Sequence, residues 1–386
     1  MTNFAVAPEE VVSLSLFEEL QKFEHEQLVF CSDPKVGLKA IIAIHNTTLG
    51  PALGGTRMWT YATDNEAIID ALRLSRGMTY KAAVARLNLG GGKAVIIGDS
   101  KKHKSEALFR TYGRFVEGLA GRYITAEDVG TDVRDMEMVR METKYVTGIS
   151  RALGGSGDPS PVTALGVYMG MKAACAERYG NDSLSRKVVI VQGAGQVAYH
   201  LCGYLRSEGA IVKITDIFEE KARRIVTEYG AEYVKPDEIF NLEGAIFCPA
   251  ALGGVLNSDT IPKLKVDIVA GCANNQLKDE GFHEQMLIDK GILYVPDFVI
   301  NSGGLINVAN ELEGYNRERA LSQVKEIYDV IRDILRVAKR DNILPNSAAI
   351  ALAEDRLQKI GMINNIYAGV SRYNGRLGEM NNHRTK

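Results

Sequence analysis

Residues 188 to 198 have the sequence Val-Val-Ile-Val-Gln-Gly-Ala-Gly-Gln-Val-Ala. The segment opens with four apolar, β-branched residues, which predict a buried strand. A glycine-rich turn follows, and apolar residues at helical spacing then continue from Val197 to Leu205. A second apolar run, at Ile211 to Ile214, ends just before Asp216. Strand, helix and strand in this order predict a βαβ unit of a parallel sheet.

The turn of this unit has the spacing Gly193-x-Gly195-x-x-Ala198. Glycines let a ligand approach the backbone closely, and the N–H groups and dipole of a helix N-terminus favour anions. An acid about twenty residues beyond the glycines completes the dinucleotide-binding pattern. The glycines alone are a weak signal, but the strand, helix and acid in place make it strong. We therefore predict a bound dinucleotide in contact with Gly193, Ala194, Gly195, Gln196, Val197 and Ala198.

Asp216 indicates which dinucleotide this site prefers. Its carboxylate should accept a hydrogen bond from a ribose 2′-hydroxyl and repel a 2′-phosphate. The next residues are Ile217 and Phe218, so no arginine follows immediately to pair with such a phosphate. The sequence thus favours NAD over NADP.

Apolar runs at 245–248, 267–270 and 292–295 extend the predicted parallel sheet. Asn275 follows the second of these runs, at the carboxyl edge where such sheets bind ligands, and we assign it to the cofactor site. A segment rich in glycine and proline, 148–161, predicts a hinge between two domains. Thr163, at the start of the helix predicted next, could hold a ligand amide or cap that helix.

A second glycine-rich stretch, 77–98, contains two lysines among apolar neighbours, and it follows a helix predicted at 66–76. Lys93 comes after three glycines and before Ala-Val-Ile-Ile, which predicts a buried strand. An ammonium group is rarely buried without a partner or a task. A desolvated lysine has a lowered pKa and can act as a base. The alternative is a surface loop with an ordinary solvated lysine, and this pattern alone does not decide between the two.

Four segments resemble the amino-acid dehydrogenase family: GGTRMW (Gly54–Trp59), RGMTYK (Arg76–Lys81), NLGGGK (Asn88–Lys93) and YITAEDVG (Tyr123–Gly130). The resemblance covers nearly the whole chain and is strongest to the leucine-specific branch. It implies reversible, NAD-dependent oxidative deamination of an L-amino acid to its 2-oxo acid and ammonia. A non-catalytic NAD-binding protein on this fold would be expected to lack at least one of Lys81, Lys93 and Asp128. All three are present.

The resemblance also implies roles for these residues. Lys93 would activate the water that attacks the imino carbon, and Asp128 would exchange a proton with the substrate amine. Lys81 would bind the substrate carboxylate, helped by the backbone of Gly54 and Gly55. The residues alone do not distinguish Asp128 from the acid before it, because paired acids at a strand end are often merely solvated.

The side-chain pocket can be predicted from the same resemblance. Glutamate-specific relatives carry a lysine and a serine where this chain has Leu53 and Val308, so a distal carboxylate would be left unpaired. Ala126 and Leu305 complete an apolar pocket, and Met78 is assigned to the same substrate site. Ala126 resembles the leucine enzymes, whereas Leu305 departs toward the phenylalanine enzymes. We expect leucine, valine and isoleucine as substrates, with a phenylalanine dehydrogenase as the alternative.

The expected fold is α/β, with two domains and a cleft between them. Residues 1–147 are expected to form the substrate and oligomerisation domain, and 148–344 a Rossmann-like NAD-binding domain. Residues 345–386 are expected to pack back on the first domain. A glycine-rich run at 49–57 could line a pocket with its backbone, and residues 1–10 are expected to be a loose extension. The resemblance implies a homo-oligomer, often an octamer.

Composition excludes several other classes of protein. The 386 residues carry a formal net charge of −2, which gives no electrostatic case for nucleic acid or an anionic membrane. No leader-like N-terminus or membrane-length apolar stretch is evident. The six histidines and five cysteines lack metal-ligand spacing, so we expect buried free thiols and no metal. The expected enzyme is cytoplasmic, and its expected partners are small molecules: an amino acid, a 2-oxo acid and ammonia.

Overall fold

The structure is a computed structural model that describes residues 15–363. The extension predicted at 1–10 and the last part of the C-terminal segment, 364–386, lie outside the described residues. Two α/β units follow one another along the chain, each built around one sheet. The two-domain α/β fold predicted from the sequence is therefore confirmed, while the residue boundaries of the domains stay a prediction.

The first unit contains a five-stranded mixed sheet in the order β1-β2-β4-β3-β5. The pairs β1–β2 and β2–β4 are antiparallel, whereas β3 pairs in parallel with both β4 and β5. The strands are β1 Gln27–Asp33, β2 Leu38–Asn46, β3 Ala52–Trp59, β4 Gly90–Ile97 and β5 Tyr123–Glu127. The helices of this unit are α1 Leu16–Lys22, α2 Asp64–Val84, α3 Glu106–Gly118 and α4 Val133–Arg140.

Apolar side chains cover both faces of this sheet. Along β2, Ile41 and Ala43 pack into the same core cluster as α2, while Ile42 and Ile44 belong to the cluster that includes α3. The alternation follows from the period of two in a strand, and it makes the strand read as a continuous apolar run. The sheet is thus buried on both faces, and it can hold polar residues at its strand ends in fixed positions.

The second unit contains six parallel strands in the order β11-β10-β9-β6-β7-β8. They are β6 Val188–Gln192, β7 Ile211–Thr215, β8 Glu232–Tyr233, β9 Glu243–Pro249, β10 Lys265–Val269 and β11 Leu293–Tyr294. Numbered within the unit, this is the order 3-2-1-4-5-6 of dinucleotide-binding folds. The order reverses between β6 and β9, so the crevice for a ligand is expected at their carboxyl ends.

Helices cover both faces of the second sheet and continue to the end of the described chain. They are α5 Ser160–Tyr179, α6 Gln196–Ser207, α7 Glu219–Tyr229, α8 Glu280–Asp289, α9 Asp297–Ile300, α10 Gly303–Ala309, α11 Arg317–Lys325, α12 Ile327–Asp341 and α13 Pro345–Ile363. The last helix packs against α2, and Arg356 donates hydrogen bonds to the carbonyls of Ala83 and Leu87. The C-terminal segment, as far as it is described, therefore contacts the first unit.

Two segments have a more regular structure than the sequence predicted. The glycine-rich run at 49–57 is largely strand β3, in the interior of the sheet. The helix predicted at 66–76 begins two residues earlier, where the Thr63 side chain caps it, and continues through Gly77 to Val84. Helix packing against the sheet overrides the low helix propensity of one glycine. Lys81 consequently lies on the last turn of α2 and not in a loop.

Candidate active site

Glycines in strand β3 allow it to pack closely against the first residues of β4 on one side and the end of β5 on the other. A Cβ atom on Gly54 would lie 1.6 Å from the carbonyl oxygen of Gly92, and one on Gly55 would lie 2.9 Å from Cβ of Asp128. Any side chain at these positions would clash with backbone, so only glycine fits. The close packing places Lys93, on β4, and Asp128, directly after β5, on either side of the β3 glycines.

Lys93 is buried in the sheet with its ammonium group paired. Its side chain is 6% exposed, and Nζ lies 2.9 Å from Oδ1 of Asp128. Burial lowers the pKa of Lys93 because the charged form loses hydration, and the negative charge of Asp128 opposes that shift. The surface-loop alternative for this lysine is excluded, since β4 places it inside the sheet.

Asp128 is held by two cations. Its second oxygen, Oδ2, accepts a hydrogen bond from Nε of Arg57 at 3.0 Å. Burial raises the pKa of Asp128, but Lys93 and Arg57 together lower it further, so the pKa lies below its ordinary value. The carboxylate is therefore ionised at neutral pH, beside a lysine that burial makes easier to deprotonate.

Lys81 approaches the same centre from α2. Its ammonium donates a hydrogen bond of 2.6 Å to Oδ1 of Asn301, which lies between α9 and α10 of the second unit. Burial lowers the pKa of Lys81 to about 8, Asp297 opposes this and Lys93 adds to it. This hydrogen bond joins the two units, so Lys81 lies at the predicted cleft between them.

Four apolar residues assigned to substrate binding belong to one core cluster. Leu53 and Leu305 are buried within it, and Met78 and Val308 pack against its edge. Ala126, on β5, is also buried. Helix α10 thus brings residues of the second unit into the core of the first. Neither Leu53 nor Val308 can pair with a charge, in line with an apolar pocket.

The glycine turn after β6 lies at the reversal point of the second sheet. Gly193 has a φ of 115°, and a Cβ atom there would lie 2.8 Å from backbone atoms after β9. A Cβ atom on Gly195, by contrast, would meet only open space, and α6 begins there without a side-chain cap. Open backbone N–H groups at the start of a helix suit a phosphate group, so these residues fit a dinucleotide.

Asp216 lies just beyond the end of β7, as expected, and both of its oxygens already accept hydrogen bonds. Ala194 N–H donates to Oδ2 at 2.7 Å, and Phe218 N–H donates to Oδ1 at 2.9 Å. The carboxylate therefore links the glycine turn to the strand end. Each carboxylate oxygen has more than one lone pair, so room for a ribose hydroxyl remains.

Two cofactor assignments take a different local form from the one expected. Thr163 lies inside α5, which begins at Ser160, and its hydroxyl donates to the carbonyl of Pro159 at 3.0 Å, so it does not cap that helix. Asn275 has a left-handed backbone and its carbonyl accepts from Gly254 N–H. The side-chain contact toward Lys81 comes from Asn274, which accepts from Asn301 at 2.6 Å.

Sequence models of two family domains match this chain. "Glu/Leu/Phe/Val dehydrogenase, dimerisation domain" matches residues 25–145, and "Glutamate/Leucine/Phenylalanine/Valine dehydrogenase" matches residues 206–360. A leucine dehydrogenase of Thermoactinomyces intermedius is 61% identical over 345 residues, which cover 89% of this chain and 94% of that enzyme.

The chain belongs to the Glu/Leu/Phe/Val dehydrogenase family.

Two further relatives show how broad this family is. The phenylalanine dehydrogenase of Lysinibacillus sphaericus is 51% identical over 330 residues, which cover 84% of this chain and 86% of that enzyme. The crystal structure of L-tryptophan dehydrogenase from Nostoc punctiforme has a TM-score of 0.81 and 48% identity, covering 89% of this chain and 99% of the other. This family consists of NAD(P)-dependent dehydrogenases.

The cysteines, the candidate metal ligands and the apolar helices of the described residues complete the picture. All five cysteines are free thiols, and four are buried while Cys272 is half-buried. Between residues 15 and 363, no group of three His, Cys, Asp or Glu side chains is arranged to hold a metal ion. Within the same range, no helix is both long and apolar enough to cross a membrane.

Sequence reasoning assigned no role to Arg57 or Asn301. Arg57 stood in a segment already singled out, because it follows Gly54-Gly55, and Asn301 precedes another glycine pair, Gly303-Gly304. A usable signal existed for Arg57, because a charged residue in an otherwise apolar strand needs a partner. No pattern in the sequence links Asn301 to Lys81, which are separated by 220 positions and meet only through the fold.

Proposed function

We propose that this protein is an NAD-dependent leucine dehydrogenase. It converts leucine, valine or isoleucine reversibly into the 2-oxo acid and ammonia. The observation that carries the proposal is the buried Lys93–Asp128 pair beside Lys81, at the edge of an apolar pocket. The 61% identity to a leucine dehydrogenase over most of both chains supports the choice of substrate.

The charges around the pair support a division of labour. Lys81 carries the cation that anchors the substrate carboxylate, and the backbone of Gly54 and Gly55 on β3 helps to hold that carboxylate. Asp128 takes a proton from the substrate ammonium group, which leaves a free amine ready to lose hydride. The α-carbon would lose that hydride, and NAD held at residues 193–198 would supply the acceptor.

Hydrolysis of the resulting substrate imine needs a base. Burial makes Lys93 easier to deprotonate, so neutral Lys93 can take a proton from the water that attacks the imino carbon. Closure of the two units around Lys81 and Asn301 excludes other water and strengthens these electrostatic interactions. Ammonia then leaves, and the 2-oxo acid remains.

Substrate selection follows from what the pocket lacks. A distal carboxylate beside Leu53 and Val308 would be buried without a partner, and this is strongly unfavourable. Glutamate should therefore be rejected. Leu305 fills part of the pocket that a larger substrate side chain would need. Its size therefore affects whether the enzyme prefers leucine or phenylalanine as substrate. The 51% identity to a phenylalanine dehydrogenase keeps that enzyme as the second candidate.

NAD is proposed over NADP because Asp216 would meet a 2′-phosphate with negative charge and no arginine follows it. We assign residues 193–198 to cofactor binding because they form the glycine turn and the start of α6. Thr163 and Asn275 are assigned to the same site because Thr163 lies in the first turn of α5 and Asn275 lies at the carboxyl edge of the second sheet. Residues 25–145 match a dimerisation domain, which supports a homo-oligomer, and an octamer is our specific proposal. The cytoplasmic location stays a prediction.

The direct test is reduction of NAD by leucine, followed at the nicotinamide absorbance. Purified protein should reduce NAD only when the amino acid is present, and ammonia should appear in equal amount. A Lys93→Met variant is the matched control, because it keeps the length of the side chain and removes its base. Reduction with phenylalanine but not with leucine would favour the second candidate, and binding of NAD without reduction by any amino acid would leave only the non-catalytic alternative.

A further inference from the structure

Arg57 connects the proposed active site to a second carboxylate outside it. Its Nε donates to Oδ2 of Asp128 at 3.0 Å, and its Nη1 donates to Oδ2 of Asp70 at 2.9 Å. Asp70, on α2, also accepts a hydrogen bond from the hydroxyl of Tyr61 at 2.7 Å. A planar guanidinium that bridges two carboxylates is held in one orientation, and it fixes both partners in turn.

The burial of these groups makes the bridge more than a surface ion pair. The side chains of Arg57 and Asp128 are each 24% exposed and that of Asp70 is 14% exposed. Arg57, Asp70 and Tyr61 line an open cavity of about 560 Å³, whereas Asp128 faces Lys93 on the inner side. Arg57 therefore contacts this cavity on one side and the carboxylate of the site on the other.

We infer that Arg57 is a positioning residue for the deamination. It holds one oxygen of Asp128 so that the other oxygen faces Lys93. Asp70 in turn holds Arg57 through a different nitrogen of the same guanidinium group. This inference rests on the proposed function, in which Asp128 and Lys93 exchange protons with substrate and water. It assigns Arg57 no contact with substrate. Its effect is transmitted through the orientation and charge of Asp128.

The charge of Arg57 has a definite sign of influence on the pair. A cation beside Asp128 favours the ionised carboxylate, and the same cation disfavours a charged Lys93. Asp70 has the opposite influence on Lys93, whose charged form it favours. The other charged or titratable groups that act on this cluster are Lys81, Asp297, Tyr61, Tyr123, Glu127 and Arg73, the last of which lies 3.6 Å from Oδ1 of Asp70. None of these is changed in the test below.

Three variants separate the charge of Arg57 from its shape. Arg57→Met removes the cation, so the pH profile of kcat/KM for leucine should move to higher pH by roughly one unit. Asp70→Asn removes the opposing anion, so the profile should move to lower pH. Arg57→Lys keeps the charge but loses the planar guanidinium that bonds both Asp128 and Asp70. The pH profile of kcat/KM should therefore stay in place while kcat falls. In Arg57→Met, kcat should fall roughly 10²-fold with a much smaller change in KM, because Lys81 still anchors the carboxylate.

A second readout does not depend on turnover. The labelling of Lys93 by a small amine-acylating reagent, measured by peptide mass spectrometry across pH and normalised to its plateau at high pH, reports the pKa of this lysine, because the normalisation removes the effect of its 6% exposure on the rate. That pKa should rise in Arg57→Met and fall in Asp70→Asn. Arg110→Met is the matched control, because Arg110 on α3 also pairs with two carboxylates, those of Glu106 and Glu142. It should shift neither readout.

The outcomes distinguish this inference from the proposed function. Opposite shifts for Arg57→Met and Asp70→Asn, in labelling and in the pH profile, support the inference. Unmoved labelling in both variants overturns it, even if leucine is oxidised normally. If wild-type protein oxidised no amino acid, the proposed function would fail, whereas the labelling would still decide whether Arg57 controls Lys93. A loss of kcat in Arg57→Met with no shift in either readout would reduce Arg57 to a structural residue.

Discussion

The ammonium of Lys93 lies 2.9 Å from the carboxylate of Asp128, although 35 positions of sequence separate the two residues. Strand β4 carries the lysine and the end of β5 carries the acid, with the glycines of β3 between them. Because the pair is buried, removing either partner would leave the other charge without compensation. The proposed chemistry therefore depends on both residues of this pair being present.

Replacing Lys93 with methionine should abolish turnover and leave cofactor binding intact. Loss of a general base lowers kcat by roughly 10²- to 10⁴-fold, and the glycine turn belongs to the other sheet. Steady-state kinetics and a fluorescence titration with NADH measure the two effects separately. Lys104→Met is a suitable control, since Lys104 pairs with Asp132 and Asp135 away from the site. Near-normal kcat in Lys93→Met at its pH optimum would remove Lys93 as the base.

Replacing Lys81 with methionine should act mainly on substrate affinity. The variant loses the cation that anchors the substrate carboxylate, so KM for leucine should rise strongly. A misplaced substrate should lower kcat as well. The variant also loses the 2.6 Å contact with Asn301, so Asn301→Ala is the comparison that measures this part alone. An unchanged KM for leucine in Lys81→Met would exclude Lys81 from substrate binding.

The second sheet could be predicted more completely than the first. Buried parallel strands read as short apolar runs, and all five predicted runs overlap strands of this sheet: 188–191, 211–214, 245–248, 267–270 and 292–295. The strand β8, Glu232–Tyr233, was missed because its two residues carry no apolar pattern. In the first sheet β3 was hidden by Gly54-Gly55, since glycine is depleted in strands and the close backbone approach that requires it is a tertiary feature.

Some residues of the candidate site could likewise be predicted from the sequence, and others could not. Lys93 could be singled out from its own neighbours, because a lysine between glycines and an apolar run is unusual. Asp128 could not be separated from Glu127 without the family resemblance, and only the fold shows that Asp128 is the acid that meets Lys93 and Arg57. The contacts of Lys81 with Asn301 and of Arg57 with Asp70 depend on packing between elements, so no local pattern predicts them.

The preference for NAD should depend on the charge of Asp216. Wild-type protein should have a much higher kcat/KM with NAD than with NADP, because the carboxylate repels a 2′-phosphate. Asp216→Asn removes that charge and keeps an oxygen that can accept from Ala194 or Phe218, so discrimination against NADP should weaken. Kinetics with both cofactors measures the ratio. Equal kcat/KM for the two cofactors in wild-type protein would contradict the assignment.

The size of the apolar pocket should govern the choice among uncharged side chains. A methylene is worth only about 1–3 kcal/mol in such a pocket, so leucine, isoleucine and valine should react within roughly 200-fold of one another. Ala126→Gly and Leu305→Val should each enlarge the space and move the preference toward phenylalanine. Competition kinetics between leucine and phenylalanine measures that shift. No shift in either variant would place these residues outside the pocket.

Acid pH should destabilise the first unit through His45. Its Nδ1 contacts Thr79 Oγ1 at 2.8 Å and its Nε2 lies 2.8 Å from the carbonyl of Phe23. Burial lowers its pKa from 6.5 to about 4, and His25 adds to that shift. Because the unfolded chain binds the proton more tightly, this contribution to stability is complete above about pH 6.5 and is lost as pH falls toward 4.

A His45→Gln variant isolates this effect. The amide can replace both hydrogen bonds, yet it does not titrate. The difference in urea midpoint between wild type and variant should therefore change between pH 7 and pH 5, with wild type losing more on acidification. The loss amounts to at most about 1.4 kcal/mol per pH unit from this one group. A difference that stays constant across this range would show that His45 is not the titrating group.

The central claim is that this chain oxidises branched-chain amino acids with NAD, and kcat/KM over a substrate panel tests it most directly. The panel consists of leucine, valine, isoleucine, phenylalanine and glutamate, each at saturating NAD. The predicted result is leucine highest, valine and isoleucine close behind, and glutamate far lower. Phenylalanine above leucine would show that Leu305 was the better guide than Ala126, and comparable activity with glutamate would contradict the apolar pocket itself.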